Sequence, residues 1–159
     1  MTTTDGKNIA ASRIETTHIV MPYDANNFGT AFGGTVMAWI DQAAAMAAMR
    51  HARLPVVTAS VDQLNFLAPV RVGQMAILVA RVNATFAHSL EVEVDVTSED
   101  PRSGARQRCC DAFLTFTTLG PDGKPTRVPP LLCESEEERK RAEQAQARRA
   151  ARLAQRTKR

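Results

Sequence analysis

The stretch from Thr35 to Ala52 limits what this chain can fold into more than any other. It holds no glycine or proline, is rich in alanine and methionine, and is apolar nearly all round. Alanine and methionine are strong helix formers. A helix with no polar face cannot rest on a surface and has to be enclosed. A bilayer is excluded as the enclosure, because Val36–Met49 carries Asp41 and Gln42. It also falls short of the roughly 20 apolar residues that a membrane span needs. The rest of the chain, or a second copy of it, must therefore wrap the helix.

What remains is strand-like. In Arg13–Met21, Ile14, Thr16, His18 and Val20 alternate with Glu15, Thr17 and Ile19. Four runs follow the helix: Val56–Phe66, Gly73–Thr85, Leu90–Val96 and Arg106–Leu119. In the third, Leu90, Val92, Val94 and Val96 alternate with Glu91, Glu93 and Asp95, the pattern of an antiparallel strand buried on one face only. Turn residues at Asp100–Gly104, Gly120–Gly123 and Pro129-Pro130 punctuate the runs. One strand, one buried helix and four consecutive strands predict an α+β fold, an antiparallel sheet with the helix on one face. A single sheet leaves part of the helix and a sheet edge uncovered. Pairing with a second copy covers both.

The boundaries read as a flexible terminus over 1–12, a domain over 13–132 and a charged helix over 133–159. Ser135-Glu136-Glu137-Glu138 reads as a capping box, with acids at the start of that helix and arginines towards its end. Large apolar residues are nearly absent from it, which predicts a solvated helix or a cap on an oligomer edge. The net charge of +3 resides there: residues 134–159 hold nine Lys/Arg against five Glu, and the rest is nearly neutral. A basic tail can serve nucleic acid, a phosphorylated ligand or solvation. It lacks interleaved aromatics, so base stacking is not expected. The N-terminus shows no basic-then-apolar leader, and a cytoplasmic location is expected. Cys109, Cys110 and Cys133 form neither a disulfide framework nor a zinc spacing, so reduced thiols and no metal are expected.

Two features carry chemistry. The loop Asp24–Gly34 ends in a glycine pair, Gly33-Gly34, at the start of the helix. Glycines allow close approach to the backbone, and a helix start presents free N–H groups with partial positive charge. The turn is either a plain loop-to-helix junction or an oxyanion site. Asp41 sits mid-helix among apolar residues, a costly place for a carboxylate unless it is paired or used. It is either on a polar stripe beside Gln42 or an acid–base group or nucleophile. Gly34 and Asp41 share a helix face but lie about 10 Å apart along the axis, at 1.5 Å per residue. One reacting carbonyl cannot touch both, so a shared site takes Asp41 from one subunit and the glycine turn from another. Asn26 is placed to orient water or the carbonyl.

The run D-A-N-N-F-G-T-A-F-G-G-T-V-M-A-W-I-D-Q-A-A, followed by V-V-T-A-S-V-D-Q-L-N-F-L-A-P-V-R-V-G, resembles the hotdog-fold acyl-CoA thioesterases, and within them the bacterial YciA-type and brain-type acyl-CoA hydrolases. The likeness extends over roughly residues 14–157. It implies a sheet wrapped around one central helix. It also implies hydrolysis of acyl-CoA to a carboxylic acid and CoA at a site shared between subunits, with no cofactor beyond the CoA of the substrate. On the family pattern Asn26, Asp41 and Gly34 are catalytic, Gly34 through its N–H. Gly33 and Thr58 belong to the substrate site. The family also implies a dimer at least, and a hexamer built as a trimer of dimers.

The chain departs from that pattern before Leu90. Phe86-Ala87-His88-Ser89 stands where the family has G-R-T-S, and only Ser89 is kept. Arg71, Ser89, His88 and the tail arginines are the candidates for the CoA phosphates, because Arg binds phosphate bidentately. A serine hydrolase is excluded by the lack of a G-x-S-x-G elbow. A hotdog dehydratase is disfavoured, since no histidine lies between Pro22 and Gly34. The alternative of a different class is a non-catalytic acyl-CoA sensor or scaffold, which needs the glycine turn but not Asp41.

Overall fold

The computed structural model describes residues 5–158. The elements run β1 (Lys7–Asn8), β2 (Ile14–Ile19), α1 (Gly33–Ala52), β3 (Val56–Phe66), β4 (Met75–Thr85), β5 (Ser89–Glu99), β6 (Arg106–Thr118), β7 (Leu131–Leu132) and α2 (Glu136–Arg156). Five strands form an antiparallel sheet in the order β2-β4-β5-β6-β3. The expected α+β architecture is present. The expected strand bounds shift by a few residues, most at β5, which extends from Ser89 to Glu99.

The sheet curls around α1. Val36, Ile40, Ala43, Ala44, Ala47 and Ala48 are buried against Leu78, Val82, Leu90, Val92, Val94, Leu114 and Phe116. Alanines at this contact let the helix approach the sheet closely, and each fully buried Val, Leu or Phe contributes about 1.5–3 kcal/mol. The C-terminus of α1 is closed by backbone and side chain together. Arg53 adopts φ 56° and donates its N–H to the Met49 carbonyl. Lys7 donates its Nζ to the carbonyls of Arg50 and His51 at 3.2 and 2.7 Å, where a cation suits the negative end of the helix. Beside it His51 is fully buried, with Nε2 2.9 Å from the Pro129 carbonyl. Part of the stretch 1–12, read as a flexible terminus, lies against the end of the domain. Lys7 and Asn8 pair in parallel with Leu131 and Leu132, and Asn8 caps the short helical turn that follows. Residues 1–4 lie outside the described part.

The outer face of the sheet holds the largest difference from expectation. Alternation in β5 predicts a wet face at Glu91, Glu93 and Asp95, and composition predicts an α2 that is solvated or caps an oligomer edge. Instead α2 lies on that face. Arg148 donates to both oxygens of buried Glu91 at 2.7 and 3.0 Å and stacks 3.7 Å above the Phe113 ring. Arg152 donates to Asp62 and Thr115 at 2.7–2.9 Å. Arg149 covers Phe86. Ion pairs and cation–π stacking replace a hydrophobic stripe, a match that sequence periodicity does not reveal. The expected cap is present: Ser135 Oγ accepts from Glu138 N–H, while the Glu138 carboxylate reaches back to Glu134 N–H.

Candidate active site

The loop before α1 is organised by Asn26. Its Oδ1 accepts from the N–H groups of Phe28 and Thr30 at 2.9 and 3.2 Å, and its Nδ2 donates to Thr30 Oγ1 at 2.9 Å. Asparagine favours this self-turn because its side chain mimics a backbone acceptor. Gly29, at φ 73°, supplies the left-handed step that the turn needs. The Ala31 N–H donates to Val70 O, and Val72 N–H to Gly29 O, so the loop is laid along residues 70–72. Asn26 is therefore held firmly, with its carboxamide engaged inside its own loop. Thr30 is the residue that sequence reasoning overlooked. Its spacing of four from Asn26 was the available signal.

The loop delivers the chain to α1 with Phe32 as N-cap, and no side chain caps the helix. Among the described residues, the N–H groups of Gly33 and Gly34 have no acceptor. Gly34 is exposed. A Cβ built on it would stand 3.0 Å from the Phe32 ring, so a side chain there would have to displace that exposed ring. These free donors and the helix dipole form an anion-stabilising end.

Asp41 lies two turns further on, half-buried, on the side of α1 that faces β3. Its Oδ1 accepts from Thr58 Oγ1 at 2.8 Å, which leaves the second oxygen unbonded among the described residues. This pair is the main contact that the structure makes between predicted site residues. β3 is an edge strand, and Val57, Thr58 and Val61 are exposed along it. Asp41 thus stands at the boundary where a second copy would complete the sheet, about 10 Å along the helix from Gly34.

The phosphate candidates are scattered. Arg71 is exposed beside the Asn26 loop, bridged through Thr30. Ser89 opens β5 opposite Thr117, away from any polar contact with Asp41 or Asn26. His88 is exposed, and its carbonyl accepts from Thr118. Arg148 and Arg152 are spent on Glu91 and Asp62, so these two tail arginines are not free for a ligand. Burial pushes the Cys110 thiol up to about 12, so it stays protonated and is no nucleophile. No group of three His, Cys, Asp or Glu among the described residues is placed to hold a metal. No described helix is long and apolar enough to cross a membrane.

The sequence profile of the thioesterase superfamily matches residues 28–105. An uncharacterised acyl-CoA thioester hydrolase of Bacillus subtilis, YkhA, is 38% identical over 87% of this chain and 80% of its own length. The cytosolic acyl coenzyme A thioester hydrolase of Rattus norvegicus is 37% identical over 88% of this chain, which spans only 37% of that longer protein. An apo hexameric acyl-CoA thioesterase superposes with a TM-score of 0.91 at 38% identity, covering 95% of this chain and 97% of that one. The Staphylococcus aureus acyl-CoA hydrolase, solved with butyryl-CoA, CoA and CoA disulfide, gives 0.88 at 36% identity, covering 96% and 93%. That enzyme has also been solved with an aspartate, an asparagine and a threonine each changed to alanine. The intervals between those three equal the intervals between Asp41, Asn26 and Thr58 here. The chain belongs to the thioesterase superfamily, among its hotdog-fold acyl-CoA thioester hydrolases.

Proposed function

We propose that this chain hydrolyses acyl-CoA thioesters to a carboxylic acid and CoA, at sites that each take Asp41 and Thr58 from one subunit and Asn26 and Gly34 from its partner. The observation that carries the reading is the Asp41–Thr58 pair beside an uncovered edge strand, with free N–H groups at the start of the same helix. The thioester carbonyl sits at Gly34 N–H, which stabilises the oxyanion. Losing one such donor costs about 3–4 kcal/mol of transition-state stabilisation. Thr58 holds one Asp41 oxygen and aims the other at the carbonyl carbon. Asp41 either takes a proton from attacking water or attacks directly to give an anhydride that water then opens. Collapse of the tetrahedral intermediate breaks the C–S bond and expels CoA thiolate. A thiolate is a good enough leaving group to need no metal or other cofactor.

Gly33 shapes the carbonyl site, and Arg71 and Ser89 are retained as contacts for CoA. The assembly is proposed as a hexamer, a trimer of dimers, in keeping with the hexameric relative. A cytoplasmic location follows the cytosolic relative. Release of CoA from a panel of acyl-CoA thioesters, read with a thiol reagent, tests the activity. Asp41→Asn should lower kcat by on the order of 10²-fold or more. Thr58→Val should lower kcat less, with KM nearly unchanged. Full activity of Asp41→Asn would remove this residue from the mechanism. Tight CoA-thioester binding without turnover would favour the sensor reading.

A further inference from the structure

The edge strand β3 does not alternate evenly. Val56, Thr58, Ser60, Asp62 and Leu64 are spaced by two, and in a regular strand all five would share one face. Val56 and Leu64 pack on the core beside α1, and Thr58 reaches Asp41 of that helix at 2.8 Å. Ser60 and Asp62 face the other way, towards α2. The Asp62 carboxylate accepts from Arg152 at 2.9 Å, from Thr115 at 2.7 Å and from Ser60 at 2.9 Å. Two bulges make the reversal. Against β6, Thr58 stands opposite Phe116 and Ser60 opposite Thr115, which leaves Ala59 extra. Val61 then stands opposite Leu114 and Gln63 opposite Phe113, which leaves Asp62 extra. Each extra residue shifts the alternation by one, so the first bulge turns the even positions outward and the second turns them back.

Bulges interrupt the ladder, and β3 is paired on one side only, so something besides the ladder has to hold them. Asp62 does so. Its side chain is 7% exposed, it sits in the second bulge, and it ties back to Ser60 beside the first. Arg152 Nη1 also donates to Thr115 Oγ1 at 2.7 Å, so α2, β3 and β6 are joined at one carboxylate. We propose that Asp62, held by Arg152, is a positioning residue for hydrolysis: it fixes the two bulges and so keeps Thr58 turned towards Asp41 on the opposite face of the sheet. This assignment rests on the hydrolase reading for the role of Thr58 and adds a residue that touches no substrate. A slip of one residue at Ala59 would turn Thr58 away from α1 and strip Asp41 of its hydrogen bond.

The test measures kcat and KM of the intact protein for one acyl-CoA that the wild type turns over. Asp62→Asn keeps the shape of the side chain and removes its charge. It should lower kcat at least about fivefold with KM nearly unchanged, since small misplacements at a reacting centre are costly in rate. On a Thr58→Val background the same change should lower kcat less than about twofold, because residues that act through one another do not add. Arg148→Ala loosens α2 without touching the bulges and should leave kcat nearly unchanged. Ser60→Ala cuts the tie between the bulges. It should lower kcat at least about twofold, again not on the Thr58→Val background, and it decides the matter alone if Asp62→Asn does not fold. Hydrogen–deuterium exchange read by mass spectrometry follows the strand without turnover: Asp62→Asn should speed exchange over residues 56–61, and Arg148→Ala should not. An unchanged kcat in folded Asp62→Asn, the full loss retained on the Thr58→Val background, or an equal loss in Arg148→Ala overturns the assignment. No turnover of any thioester by the wild type overturns the hydrolase reading. Faster exchange over 56–61 in Asp62→Asn then leaves the clamp on β3 standing, and unchanged exchange overturns that as well.

Discussion

At the scale of single residues, four buried side-chain atoms among the described residues lack a hydrogen-bond partner, Ser12 Oγ, Thr16 Oγ1, His51 Nδ1 and Asn83 Oδ1, and of these groups only His51 titrates. His51 is enclosed at the end of α1, and its Nε2 meets the Pro129 carbonyl, which can only accept, so Nε2 carries the proton. Nδ1 is buried with no partner among the described residues. Burial therefore holds the His51 pKa below its ordinary 6.5, and nearby Lys7 pushes the same way. The folded state binds this proton less readily than the unfolded chain. The stability is fully present above about pH 6.5 and is lost as pH falls through the lower folded pKa, by up to ~1.4 kcal/mol per unit. Urea unfolding at pH 7.5 and 5.5 should show this loss in the wild type. His51→Gln can still donate to Pro129 but cannot titrate, so its midpoint should fall less. Equal acid sensitivity of the two would remove His51 as the cause.

At the scale of elements, α2 is attached by charge where most surface helices are attached by an apolar stripe. Arg148 reaches a Glu91 side chain only 2% exposed, which Asn83 also touches at 3.2 Å. Breaking a buried pair from one side leaves an uncompensated charge, at a cost of about 3–5 kcal/mol. Arg148→Ala should approach that loss in chemical denaturation. The double variant Arg148→Met with Glu91→Leu should recover most of it, because no charge is then stranded. A double variant as unstable as Arg148→Ala alone would place the stabilisation in the Phe113 stacking. Alternation in β5 displayed Glu91 plainly but pointed to water. Nothing in a strand pattern says that an arginine from 57 residues away will arrive.

At the scale of the whole molecule, the sheet ends at β3 with Val57, Val61 and Phe66 about half exposed. A long edge with apolar side chains is a pairing surface unless it is covered. Asp41 and Thr58 meet at that edge, and the separation of Asp41 from Gly34 along one helix prevents both from serving the same carbonyl. Mixed oligomers of two inactive variants, Asn26→Ala and Asp41→Ala, should therefore regain part of the activity through hybrid sites. At full exchange of equal amounts, about a quarter of the wild-type sites can be restored by this geometry. No recovery, with exchange verified by mass spectrometry of labelled subunits, would place each site within one chain.

The elements themselves were legible in the residues. An all-round apolar helix demands enclosure, and five strand-like runs offer one way to provide it, because periodicity is a local property of the chain. The pairing of Asp41 with Thr58 was partly legible: the family pattern nominates both, but only the fold brings the helix against the edge strand. Two pairings belonged to the tertiary structure alone: Arg148 with Glu91 and Arg152 with Asp62, which withdraw both arginines from any ligand. Each depends on which distant groups meet and in what orientation. Hydrogen bonds and ion pairs act over a few ångströms, so that meeting is decided by packing and leaves no periodic trace in the sequence.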